Sequence, residues 1–364
     1  MIPLLADLET EWRGGQNQFF LLLKGLYERG HAAELLATRG SALAARCAEA
    51  GICVHQVSHG ASRLFTAWKI RKLLATGRFD LIHVNESHAL TAAWLARAHR
   101  RVPLLISRRV GYPLGQSWFS KRRFASAAAI LANSQWVADQ AAASGAPKGK
   151  LKVIYEGVKI PELPAPNLRR NARSRWTLPS DAPLLGCVGV LSPDKGHEFV
   201  IRALAQVRRE FPAARLLLAG DGPARSHLEN VAKECGVRET VLFAGFVKEI
   251  EQVYQALDIF VFPSLFEGLG TSLLAAMSYA IPSITFFGCA LGEIVENGIS
   301  GIQVQPENSA EIADAAARLL RERAFAAQIG QAGYRRIEAI FSSDRMVDET
   351  LRAYREILDA KSPS

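Results

Sequence analysis

The sequence predicts an α/β protein of two doubly wound domains, on three observations. Short uninterrupted apolar runs alternate with segments of helical periodicity along the whole chain. The alternation breaks once, at Ile160-Pro161-Glu162-Leu163-Pro164-Ala165-Pro166, and then starts again. The length, 364 residues, exceeds what one core usually serves and suits two domains of about 100–200 residues. Buried parallel strands are apolar on both faces, so they read as continuous runs rather than as alternation. Strand–helix–strand repetition lays helices on both faces of an open parallel sheet.

In the first half the strand candidates are residues 2–6, 33–37, 53–57, 81–84, 104–107, 130–132 and 153–154. Between them, residues 18–29 and 66–75 show apolar positions recurring at three and four. Prolines lack a donor and restrict the residue before them, so 160–166 is no helix interior. That stretch and the basic residues 169–175 after it are read as the linker, with the domain boundary at 164/165. The second half has strand candidates at 184–190, 215–219, 241–244, 259–262, 283–285 and 301–304. The last helical segment, 343–359, has no strand after it and is expected to return to the first domain. Two such domains on a hinge would face a central cleft, with ligands at the carboxyl ends of the strands.

Composition narrows the function. Apolar residues make up 49% and charged residues 22%, as in soluble globular proteins. No run approaches the 18 or so apolar residues of a spanning helix, and the N-terminal run is too short, with no basic start, for a signal peptide. The expected location is the cytoplasm, with the inner face of the membrane as the place of any peripheral contact. The five cysteines form no Cys-x-x-Cys pair, and no His/Cys cluster has zinc spacing, so no metal is expected. Residues 1–165 carry 22 Lys and Arg against 11 Asp and Glu, a net +11; residues 166–364 carry 22 against 24, a net −2. An anionic partner of the first half follows. Nucleic acid, anionic lipid and a phosphorylated acceptor fit the charge, but no nucleic-acid recognition motif accompanies it. In Trp118-Phe119-Ser120-Lys121-Arg122-Arg123-Phe124 three aromatics bracket three cations. This is either a membrane contact or a helix with a core face and a solvated face. Lys69, Arg71 and Lys72 form a second cluster that the sequence cannot place.

Four segments could carry chemistry. The apolar strand 259–262 runs into Pro263-Ser264-Leu265-Phe266-Glu267-Gly268-Leu269-Gly270-Thr271, followed by a helical pattern. Glycines at a helix start leave backbone N–H groups free to bind phosphate, and Glu267 puts a carboxylate beside them. Lys195-Gly196, after the first strand of the second half, could neutralise a diphosphate. Gly14-Gly15 follows the first strand of the first half in the same way. Gly220-Asp221-Gly222-Pro223 is a tight turn after an apolar strand, and by itself reads as ordinary strand-to-helix geometry. A nicotinamide dehydrogenase would want Gly-x-Gly-x-x-Gly after a first strand, which neither half offers.

With 79–84, Ala132-Asn133-Ser134, Val153 to Val158, and Gly292 to Gly298 with Gly301, these segments resemble retaining nucleotide-sugar glycosyltransferases of family 4 over the whole chain. The resemblance implies the GT-B fold, two Rossmann-like domains facing a cleft. It implies an N-terminal acceptor domain, 1–164, and a C-terminal donor domain, 165–364. It implies transfer of a hexose-type sugar from a nucleotide sugar to an acceptor hydroxyl with retention, in cell-surface glycan or lipopolysaccharide synthesis. The donor is then a substrate, and no cofactor or metal is needed. The acceptor is a sugar, lipid-linked or anionic molecule, and nucleic acid is not a partner. Lys195 looks like the diphosphate-binding lysine, Glu267 like the carboxylate on the donor sugar, and Gly268, Leu269, Gly270 and Thr271 like backbone donors. Gly14 and Gly15 would face the phosphates, and Phe246 with Val247 the base. Arg108 and Arg109 would supply charge from the first domain. Two positions depart from the family: Val190 replaces an arginine and Ala275 a second glutamate that holds the ribose. A weakly active or inactive member and a sugar-nucleotide epimerase of the same architecture therefore stand beside the transferase reading.

Overall fold

The computed structural model describes residues 1–163, 166–176, 178–179 and 181–360. The chain folds as two compact units, Met1–Gly157 with Ser343–Ser364, and Val158–Ser342. The expected boundary, between Pro164 and Ala165, lies outside the described residues.

The first unit alternates strands and helices in the order β1 (Pro3–Asp7), α1 (Gly14–Glu28), β2 (Glu34–Thr38), α2 (Ala42–Glu49), β3 (Val54–Val57), α3 (Arg63–Leu74), β4 (Leu81–Val84), α4 (Ser87–Leu95), β5 (Leu104–Arg108), α5 (Trp118–Ala125), β6 (Ala129–Ala132), α6 (Gln135–Ala143) and β7 (Leu151–Val153). All pairs are parallel, in the order β3-β2-β1-β4-β5-β6-β7. One apolar layer joins the sheet to α3, α4 and Phe124 of α5; the other joins it to α1, α2 and the C-terminal helix. Helix α1 turns Phe19, Leu22, Leu23 and Leu26 inward, a spacing of three and four.

The second unit holds α7 (Pro166–Ser174), β8 (Leu184–Val188), α8 (His197–Glu210), β9 (Arg215–Ala219), α9 (Arg225–Glu234), β10 (Val241–Gly245), α10 (Glu251–Ala256), β11 (Ile259–Phe262), α11 (Thr271–Ser278), β12 (Ser283–Phe286), α12 (Leu291–Ile294), β13 (Ile302–Val304), α13 (Ser309–Arg321) and α14 (Arg323–Ile340). Its parallel sheet has the order β10-β9-β8-β11-β12-β13. Strand β11 shows why such runs are wholly apolar. Ile259 and Val261 enter the core of α8, α9 and α13, while Phe260 and Phe262 stack on the other face. Each of the thirteen strands among the described residues overlaps an apolar run of the sequence.

Helix α15 (Ser343–Asp359) groups with the first unit. Its Met346, Val347, Leu351 and Tyr354 join the α1 layer. Gly25 of α1 permits this close approach, since a Cβ there would lie 2.5 Å from Val347 Cγ2. Arg29 adds ion pairs to Asp344 at 3.0 Å and Asp348 at 2.8 Å.

The stretch 169–175, read as linker, is corrected by α7. The helix packs against α10, and Arg173, 2% exposed, bonds to Asp258 Oδ2 at 2.5 Å and to the carbonyls of Ala256 and Ala182. One arginine of the run is thus an interior residue, held by a buried carboxylate and two backbone acceptors that need a donor.

Candidate active site

In the second sheet β8 lies between β9 and β11, so the chain leaves it to opposite sides and the loops after β8 and β11 part. Such a switch point is where open α/β sheets bind ligands. After β8, a short turn, Pro193–Lys195, ends at Gly196 with φ 64°. A Cβ on Gly196 would lie 2.2 Å from the Pro263 carbonyl, so this turn presses against the end of β11. Leu265 N–H donates to Asp194 O at 2.9 Å and ties the loops. The result is that Lys195 Nζ meets Glu267 Oε1 at 2.5 Å, and the Ser264 hydroxyl donates to the same oxygen at 3.1 Å. Both charged side chains keep some exposure, 25% and 17%.

Gly268 to Gly270 lead from Glu267 into α11. Gly270 has φ 100°, and α11 has no side-chain cap, so its first N–H groups are available at the carboxyl edge. Leu269 is buried and Thr271 half-buried. Gly220 and Gly222 have a backbone task. A Cβ on Gly220 would lie 1.8 Å from Gly189 O, and Leu191 N–H donates to Asp221 O at 3.0 Å, so the turn after β9 buttresses the loop after β8. Phe246, 82% exposed, and Val247 follow β10 on the same edge, two strands from β8. Val190 is exposed in the β8 loop, and Ala275 lies half-buried on α11.

The first unit has its own switch point, at β1 and β4. Gly14 opens α1, and a Cβ on Gly15 would approach Arg109 Cδ at 3.6 Å. Buried Asp7 accepts from Gln16 at 3.0 Å and from Asn85. Arg109 donates to Asn85 and to Glu156, and Asn133 donates to Glu156 at 3.3 Å. The charge of Arg109, expected to face phosphate, is therefore matched by a carboxylate inside its own unit. Arg108 differs: it donates to Tyr112 O, its buried Nε has no partner, and among the described residues no carboxylate pairs with it. Burial lowers its pKa, which makes an incoming anion more favourable there.

Two family models divide the chain. Residues 12–161 match Glycosyltransferase Family 4, and residues 169–336 match Glycosyl transferases group 1. The chain belongs to the glycosyltransferases. The chain is 32% identical over 215 residues to an uncharacterized glycosyltransferase of Methanocaldococcus jannaschii, covering 57% of this chain and 55% of that one. The match thus spans about half the length of that relative. It is 24% identical over 354 residues to the lipopolysaccharide core biosynthesis glycosyltransferase LpsE of Rhizobium meliloti, covering 96% of each. Among solved structures, Anabaena HepE in complex with UDP and glucose superposes with a TM-score of 0.83 at 22% identity, covering 97% of this chain and 99% of that one. The two parallel Rossmann-like domains are those of the GT-B fold.

Several partners in these sites were not singled out from sequence. Ser264 fixes Glu267, and Asn85 and Glu156 bond Arg109, with Asp7 holding Asn85. Asp7, Asn85 and Asn133 do stand at or just after the end of an apolar run, which is the one signal available. Elsewhere in the chain, adjacent β2 and β3 place Glu34, Cys53 and His55 with ligand atoms within 4.8 Å, a cluster that sequence spacing does not reveal. Arg78 and His55 both bond to that Glu34. All five cysteines are free thiols. Among the described residues no helix is long and apolar enough to cross a membrane.

Two buried imidazoles give the protein an acid limit. His197, at the start of α8, is pushed down to about 4 by burial and by Lys195, with Asp194 opposing. His83 is pushed down to about 3 by burial and by Arg109; Tyr354 and Ser107 bond its two nitrogens. Both are neutral in the fold. Below the free value of about 6.5 the unfolded chain binds protons that the folded one refuses. Stability is therefore complete above that pH and falls as pH drops, by roughly 1.4 kcal/mol per pH unit per imidazole. Glu86, pushed up to about 7 by burial, has the opposite sign: its folded form keeps a proton, and it loses stability as pH rises from about 4.5 to 7. Comparing urea midpoints from pH 7 to 5 in the wild type and His197→Asn isolates one imidazole. The variant should decline less steeply, and equal slopes would exclude His197 as a source.

Proposed function

We propose that the chain transfers a hexose-type sugar from a nucleoside-diphosphate donor to an acceptor hydroxyl, with retention, in the synthesis of a cell-surface glycan such as lipopolysaccharide. The observation that carries this reading is the Lys195–Glu267 pair at the switch point of the second sheet, beside the uncapped start of α11. A donor would part the pair. Its diphosphate takes the ammonium and the α11 amides, and a sugar hydroxyl donates to the carboxylate that Ser264 steadies. As the glycosidic bond loosens, negative charge on the leaving diphosphate is met by these donors and positive character grows on the sugar. The acceptor hydroxyl attacks from the leaving-group face, and its proton passes to the departing phosphate. Cationic side chains do the work of a divalent ion. The second unit binds the donor, with Phe246 and Val247 at the base. The first binds the acceptor, and Arg108 takes an anionic group. The full-length similarity to LpsE supports a lipopolysaccharide setting.

Val190 and Ala275 offer a donor neither charge nor hydrogen bond, which favours a second reading, a weakly active enzyme. Incubation with UDP-, GDP- and ADP-sugars tests both. Acceptor-dependent release of nucleoside diphosphate, with the anomeric configuration kept in the product by NMR, is the expected result. Donor conversion without acceptor would mark an epimerase, and an inverted product would remove the retaining mechanism.

A further inference from the structure

We propose that α3 and α5 of the first unit form a docking surface for an anionic lipid membrane. The charge excess of the first half is local. Residues 58–125 contain 13 Lys and Arg against Asp80 and Glu86 alone, a net +11, which is the whole surplus of residues 1–165. This segment supplies α3, α4 and α5, all on one face of the sheet.

On that face large apolar side chains stand in solvent. Leu64, Phe65 and Trp68 of α3 are 71%, 47% and 55% exposed, and Trp118 and Phe119 of α5 are 65% and 36% exposed. Single exposed apolar residues are ordinary, but a group on neighbouring helices marks an interaction surface. Phe124, the third aromatic of the α5 cluster, turns into the core, so the cluster divides between the two uses its sequence allowed.

Both exposed groups lie on helices fastened to α4. Arg63 of α3 bonds His88 at 3.3 Å, Arg123 of α5 bonds Thr91, and the rings of Phe119 and Trp94 lie 5.0 Å apart. Cations accompany the rings, with Lys72 Nζ 5.5 Å from the Trp68 centroid and the Arg122 guanidinium 5.0 Å from that of Trp118. Among the described residues Lys69, Lys72, Lys121 and Arg122 have no carboxylate partner. Aromatic rings edged by unpaired cations suit the lipid interface, where rings sit at headgroup depth and cations meet lipid phosphates. A single-stranded nucleic acid would also use rings and cations. Leu64, the most exposed of the group, can stack on no base, whereas acyl chains accept it.

The proposal concerns a surface apart from the donor site, and its test uses no sugar. The full chain is co-sedimented with vesicles of phosphatidylcholine alone and of phosphatidylcholine mixed with phosphatidylglycerol, in low and high salt. Binding to the mixed vesicles only, weakened by salt, is expected. Lys69→Glu with Lys72→Glu, and separately Lys121→Glu with Arg122→Glu, should each weaken it about tenfold or more. Quenching of tryptophan fluorescence by brominated lipid should fall in the conservative double variant Trp68→Phe, Trp118→Phe, which keeps the fold. Equal binding to both vesicles, binding to neither, quenching unchanged in that variant, or displacement from vesicles by a single-stranded oligonucleotide would overturn the proposal.

Discussion

Glu267→Ala is expected to lower sugar transfer by roughly 100-fold or more, the usual consequence of removing a contact made near the reacting carbon. The melting temperature should stay close to that of the wild type. Glu267 is one of a partly exposed pair, and ion pairs that water reaches add little to stability. Its removal leaves Lys195 in contact with solvent and with Asp194 at 3.8 Å. The loss should therefore appear in turnover and not in folding. Glu267→Gln separates two roles: an amide still accepts one hydrogen bond from a sugar hydroxyl, but it no longer draws Lys195. If the glutamine variant is as slow as alanine, the charge is what matters. Turnover near the wild-type rate in Glu267→Ala, measured as diphosphate release with acceptor present, would end the assignment of this carboxylate.

Arg173→Ala should have the largest effect on stability, a loss of about 3–5 kcal/mol. Arg173 and Asp258 are both almost fully buried, at 2% and 6% side-chain exposure. Truncating the arginine leaves the carbonyls of Ala256 and Ala182 without this donor. It leaves Asp258 to the half-exposed Arg169 and the Leu184 N–H, which donates at 2.8 Å. Lysine should not restore the loss, since one ammonium cannot reach acceptors placed for a planar fork. Urea denaturation followed by circular dichroism measures this directly. A midpoint equal to that of the wild type would mean that α7 is not anchored through Arg173, and that its packing on α10 rests elsewhere.

The sequence by itself determined the strands, the two-sheet plan and the position of Glu267. Central strands such as β6 and β11 are legible because a parallel strand buried on both faces is apolar throughout, and that pattern is local. The partly exposed edge strands β3, β7 and β13 carry His55, Gln56, Lys152 and Gln303 and are marked only by their remaining apolar residues. Helix α15 is legible for the same kind of reason, since Met346, Val347, Thr350, Leu351 and Tyr354 form one face at helical spacing. The glycines before Thr271 show a helix start with free amides, and a carboxylate beside it needs no knowledge of the rest of the chain.

What only the tertiary structure decided is which side chains meet. Lys195 and Glu267 lie far apart in sequence and touch because β8 and β11 are neighbours. The strand order, not the spacing, brings their loops together. Asp7, Asn85, Arg109 and Glu156 converge because parallel strands set their carboxyl ends side by side. That convergence gave Arg109 a carboxylate partner and, among the described residues, left Arg108 without one, a distinction absent from two adjacent identical residues. Helix α7 was illegible because an arginine-rich run after prolines carries the signature of a solvated linker. Its interior Arg173 is defined by Asp258, 85 residues away. Periodicity along the chain reports how each segment divides between core and solvent. Pairing of charges across strands depends on the crossovers, and no local pattern encodes those.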